Sequence, residues 1–124
     1  MATLLVTTGK AIVTNRISGG GTSPLYVAWG TGAGTTAAAD TTLFTESASP
    51  ASRTTGTASQ VTTTTTNDTY QVVGTLTSGT SQTITNAGVF DAATTGNLFV
   101  KGDFTGLALS SGDSIQFTFK VQFS

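Results

Sequence analysis

Six carboxylates, five basic side chains and one tryptophan hold most of the chemistry open to this 124-residue chain. The acids are Asp40, Glu46, Asp68, Asp91, Asp103 and Asp113. Glycoside hydrolysis needs two carboxylates flanking a sugar, one of them with a raised pKa. No spacing among these six sets up such a pair. Asp68, Asp91 and Asp113 fall at predicted turns, where Asp bonds its own backbone. A calcium loop of the EF-hand type would need a pattern of carboxylates that is absent here. Histidine and cysteine do not occur at all. Their absence removes the usual general base near neutral pH, the thiolate nucleophile and the usual zinc ligands. Only a Ser–Lys arrangement remains for nucleophilic catalysis, and Lys10, Lys101 and Lys120 sit in no motif that would supply it. No catalytic residue, metal ligand or cofactor site is assigned, and the chain is expected not to be an enzyme.

Three further features invite a binding reading. Gly30-Thr31-Gly32-Ala33-Gly34 follows a predicted strand, as a phosphate loop would. It lacks the Gly-Lys-Ser/Thr ending and the dinucleotide spacing, so it reads as a flexible strand-to-strand turn. Asn67-Asp68-Thr69 fits the N-glycosylation triplet, but no secretory signal accompanies it. Trp29 or Tyr26 could form a sugar platform. Leu25 and Val27 share the face of Trp29, which favours a core or interface position for it.

The elements that would position these residues are mostly strands. Twenty-nine of the residues are threonine, whose β-branch favours extended backbone and whose hydroxyl keeps a sheet face wet. The first segment, Ala2 to Ile17, is ambiguous: Leu4-Leu5-Val6 could begin a strand, and the preferred reading is a short helix from Thr7 or Thr8, with Thr as its cap. Val13 and Ile17 would share its buried face, and Ser18 to Gly21 would end it. Leu25 to Trp29 reads as a strand. Asp40 could cap a helical turn through Leu43. Arg53 to Thr66 reads as one long exposed strand, including the unbroken run Thr62 to Thr66. Tyr70 to Thr77, Thr83 to Asp91 and Asn97 to Phe104 follow as strands, with a loop through Gly106 and Gly112 leading to the last one. There Ile115, Phe117, Phe119, Val121 and Phe123 alternate with Gln116, Thr118, Lys120 and Gln122, a strict period of two.

Charged residues make up 9% of the chain, against about 25% in ordinary globular proteins, so little electrostatic repulsion opposes association. Net charge is −1 and Lys10, Arg16, Arg53, Lys101 and Lys120 are scattered, which argues against nucleic-acid binding. No apolar run approaches the ~20 residues of a membrane span, and Met1 to Val13 lacks a signal-peptide pattern. The redox compartment is unreadable without cysteine.

The order of motifs resembles small structural proteins of tailed bacteriophages. The residues that carry it are Thr8 to Val13, Tyr26-Val27-Ala28-Trp29-Gly30-Thr31-Gly32, Asp40-Thr41-Thr42-Leu43, Ile84 to Asp91, Leu98-Phe99-Val100-Lys101 and Ser111 to Ile115. The resemblance covers nearly the whole chain, with Ala87-Gly88-Val89-Phe90-Asp91 and Gly30-Thr31-Gly32 the most distinctive parts. It implies a head decoration (cement) protein or a tail- or fibre-associated β-domain, and no catalytic residues.

Together these observations predict one domain over residues 1–124. Its fold class is all-β, an antiparallel sandwich or jelly-roll-like domain with one short N-terminal helix. The expected function is capsid decoration, with the chain on the capsid surface of the virion, assembled in the host cytoplasm and bridging subunits of the major capsid protein. A tail-tip, baseplate or fibre-associated domain bound to other tail proteins is the alternative, and a carbohydrate-binding module the third reading. The resemblance implies a homo-oligomer, best read as a trimer, with neither nucleic acid nor membrane as partner.

Overall fold

The computed structural model describes residues 3–124. Met1 and Ala2, part of the first predicted segment, lie outside the described residues. The element order is β1 (Thr3–Leu5), α1 (Thr7–Ile17), β2 (Tyr26–Gly30), β3 (Thr54–Thr55), β4 (Thr57–Val61), β5 (Thr69–Thr77), β6 (Gln82–Phe90), β7 (Leu98–Leu109) and β8 (Ser114–Gln122). A five-stranded sheet, β1-β7-β6-β2-β3, lies against a three-stranded sheet, β4-β5-β8, and every pairing is antiparallel. This is the all-β sandwich with one short helix that the strand pattern predicts.

The two sheets meet where their period-two apolar rows face each other. Val27, Trp29, Ile84, Ala87 and Val89 come from the larger sheet, and Val72, Leu76, Phe119 and Val121 from the smaller. Gly74 lies opposite Phe117 in the β5–β8 ladder, and a side chain at 74 would strike Val27 at 2.6 Å. The glycine leaves room for Val27 of the facing sheet, and Phe117 meets Trp29 edge-on at 6.3 Å. The outer face of the larger sheet carries a second cluster of Val6, Ala28, Leu43, Phe90 and Leu98, under the β2–β3 connection.

The sequence expectation of one long strand from Arg53 to Thr66 is corrected in two ways. The chain changes sheets at Gly56, between β3 and β4, where its amide donates to Leu25 O and a Cβ would meet Val72 at 2.8 Å. Thr62 to Thr66 is a turn. The carboxylate of Asp68 accepts the amides of Thr63, Thr64 and Thr65 at 2.8–3.1 Å. Three charge-assisted bonds outweigh the extended preference of threonine.

Helix α1 spans the predicted residues but differs in detail. Its N-cap is Val6, with no side-chain cap bond, and Thr8 Oγ1 donates to Leu98 O at 2.7 Å. Its contact face is Gly9 and Ile12, because the backbone passes so close to β7 that a Cβ at residue 9 would fall 2.1 Å from Phe99 O. Ile17, predicted to be buried with Val13, is 81% exposed, since the helix has run beyond the sheet there. Asp40 caps no helical turn; it closes a turn by accepting the amide of Ala37. Strand β7 runs on to Leu109, past the predicted Phe104, because its second half pairs with Gln82 to Ile84.

Candidate functional site

Five charged residues, Asp40, Glu46, Arg53, Lys101 and Asp103, hold the β2–β3 connection against the sheet. Lys101 points out of the outer face of β7 and is fully buried. Its Nζ lies 2.9 Å from Asp40 Oδ2 and 3.2 Å from the centre of the Phe44 ring. Asn86, also fully buried, pairs its side-chain amide with the Phe44 backbone. Asp103 accepts the Thr36 amide at 2.9 Å. The glycine segment completes the fit: Thr31 and Gly32 donate to Thr45 O and Phe44 O, and a Cβ at Gly34 would strike the Phe44 ring at 2.7 Å. Gly30 to Gly34 therefore allows close backbone approach and is packed in place, contrary to the flexible turn expected.

Arg53 forms a second clamp. Its guanidinium grips both oxygens of Glu46 at 2.9 and 3.0 Å, donates to Ala92 O and Thr95 O, and lies 3.5 Å from the Phe90 ring centre. A planar fork with four of its five N–H groups engaged fastens two loops to each other and to the sheet.

All six acids are accordingly occupied by local partners. Asp91 accepts from the amide and the side chain of Asn97, and Asp113 accepts the Ser110 amide. The turn role predicted for Asp68, Asp91 and Asp113 is what the hydrogen bonds display. Hydrogen bonding also holds three acids below the ordinary carboxylate range. The amides of Thr65 and Thr63 do this for Asp68, the Ala37 amide followed by Lys101 for Asp40, and bonds from Thr36 for Asp103. Each shift favours the ionised form, the opposite of what a general acid requires. Among the described residues, no three His, Cys, Asp or Glu side chains gather as a metal would need.

Trp29 is 1% exposed and its Nε1 donates to Ser49 O at 2.7 Å. This removes the sugar-platform reading at that residue. Tyr26 is partly buried against the outer cluster.

Of the apolar clefts at the surface, two are lined by three aromatic side chains each. One, of about 210 Å³, lies beside α1 and is lined by Ile12, Val13, Ile17, Tyr70, Phe99 and Phe123. The other, of about 250 Å³, opens between the sheets along β8, with Phe104, Phe117 and Phe119 inside and Thr3, Gly102 and Lys120 at its sides. Sequence reasoning missed both. Each is made by residues distant in the chain, and only the apolar row of β8 hinted at the second.

No curated protein and no solved structure matches the chain. Against protein-family models, residues 11–121 match the family described as "Podophage GP4 fiber I protein gp80". That match runs from the middle of the helix to the end of β8, taking in every strand but β1 and both loop clamps, and it agrees with the phage resemblance of the motif order. The chain belongs to this family and is a structural protein of tailed bacteriophages.

Proposed function

We propose that the chain is a fibre-associated structural domain of a phage tail, with no catalytic role. The observation that carries this reading is the family match, whose description names a fibre and spans residues 11–121. The architecture supports it. Every carboxylate is engaged in holding turns or loops, and the two long loops are clamped by buried Lys101, Asn86 and Arg53. The result is a tightly fastened module with apolar clefts, and with Leu4 and Leu107, open at its surface. Head decoration, the first expectation from the sequence, has less support, because nothing beyond the general phage resemblance points to the head. A carbohydrate-binding role has lost Trp29 as its platform.

Virions carrying a small tag on the exposed turn around Asn67 test the assignment. Imaging of labelled particles should place the tag on the tail, in few copies. Label spread over the head in hundreds of copies would return the decoration reading.

A further inference from the structure

Strand β8 has one open side. Among the described residues it pairs with β5 alone, at the margin of the three-stranded sheet. The ladder fixes which of its backbone groups are free. Ser78 donates to Asp113 O and Phe123 donates to Asp68 O, so residues 113 and 123 stand at hydrogen-bonded positions of the β5–β8 ladder. In an antiparallel ladder these alternate with non-bonded ones. The odd residues of β8 therefore bond β5. The even residues, Ser114, Gln116, Thr118, Lys120 and Gln122, direct their N–H and C=O groups to the open side.

We propose that this edge pairs with the β8 edge of a second copy, antiparallel, about a two-fold axis at Thr118. The strand is self-complementary in that register. Ile115 faces Val121, Phe117 faces Phe119 and Thr118 faces itself. Ser114 meets Gln122, and Gln116 meets Lys120. Apolar residues meet apolar ones on the inner face, and polar ones meet polar ones outside. The one charge on β8, Lys120, faces Gln116 of the other copy instead of a second lysine; on its own sheet it already faces Gln71. Even residues fall opposite even ones, so free donors and acceptors meet in mutually bonded pairs, roughly ten hydrogen bonds in all.

The cleft beside β8 gives the pairing a driving force. Phe104, Phe117 and Phe119 already pack on one another at 6.0–6.2 Å, and the space of about 250 Å³ beside them opens toward the free edge. A second β8 would extend the apolar row across the cleft mouth and turn two three-stranded sheets into one of six. Exposed edges are ordinarily blocked by charge, proline or a covering loop. Here a single lysine stands on the outer face, where the two-fold register accommodates it. The inference concerns self-association and holds wherever on the virion the protein sits.

Sedimentation equilibrium of the purified chain over a concentration series should give a monomer–dimer equilibrium. Thr118→Pro removes an amide that β5 does not use, so the variant should keep its strand circular dichroism and become monomeric. Gln116→Lys sets lysine against lysine twice per dimer and should raise the dimer dissociation constant about tenfold. The double variant Gln116→Lys/Lys120→Glu should restore it. The chain has no cysteine, so Thr118→Cys supplies a single thiol. Bonded antiparallel partners lie ~5.5 Å apart at Cα, within disulfide reach, and oxidation should cross-link the pair. A protein monomeric at every concentration would overturn the proposal. So would the trimer that the phage resemblance implies, or a dimer indifferent to both Thr118→Pro and Gln116→Lys.

Discussion

The side chain of Asn86 acts as a strand partner for the backbone of Phe44. Its Oδ1 accepts the Phe44 amide at 3.0 Å and its Nδ2 donates to the Phe44 carbonyl at 3.1 Å. On the β6 side of Phe44, one side chain does what a paired strand would do in a sheet. Asn86→Ala leaves the Phe44 amide without a partner, at about 1–3 kcal/mol where water cannot reach, while the Phe44 carbonyl keeps the Gly32 amide. The melting temperature should fall, and the Phe44 amide should exchange hydrogen much faster. Asn86→Asp should be worse than alanine, since it loses the donor and buries a charge. Unchanged exchange at Phe44 would mean that the loop is held by other contacts.

Lys101 and Asp40 make an unequal pair, because the lysine is fully buried and the aspartate is partly wet. Asp40→Ala strands the ammonium against the Phe44 ring. Breaking a buried pair costs about 3–5 kcal/mol, and access of water to position 40 places this one toward the lower end. Lys101→Met keeps the volume and removes the charge, so it should cost less than Asp40→Ala. Denaturant melts of the two variants check the order.

These clamps explain what the sequence could and could not disclose. The inward face of β2 and the alternation of β8 are periodic, and periodicity survives in one dimension. Asn86 and Phe44 are 42 residues apart, and Lys101 and Asp40 are 61 apart, so no local pattern announces either contact. The threonine run misleads for a different reason. β-branching favours extension at each residue, while the competing partner, Asp68, stands just beyond the run. The helix face misleads because its closest contact is Gly9, which no apolar pattern marks.

Acid should weaken the fold. Asp40, Asp68 and Asp103 are held below their ordinary value near 3.8, so the folded chain binds fewer protons than the unfolded one as pH falls toward that value. The sign follows from linkage. Their contribution is complete above the unfolded pKa and is lost as pH drops through the folded ones. Thermal melts should be flat from pH 8 to about 5 and fall below about 4. Asp68→Asn should melt lower at neutral pH and fall less steeply in acid. Equal acid slopes for it and the parent would show that Asp68 contributes nothing to the effect.

The two ends of the β8 apolar row should differ sharply. Phe119 is buried against Val72 and the core, whereas Phe123, one step beyond the strand, is 47% exposed beside α1. Strict alternation would treat them alike. Burial of a phenylalanine is worth about 3–5 kcal/mol on truncation to alanine, a large share of the ~5–15 kcal/mol that stabilises a domain. Phe119→Ala should therefore lower the melting temperature steeply. Phe123→Ala keeps the ladder and removes contacts only along the cleft wall, so its cost should be well under half as large. Thr118→Ala should shift the monomer's melting point little, since its side chain is exposed and surface changes stay within about 0.5 kcal/mol. If Phe123→Ala matched Phe119→Ala, the cleft beside α1 would be part of the core, and the helix would close over Phe123 in solution.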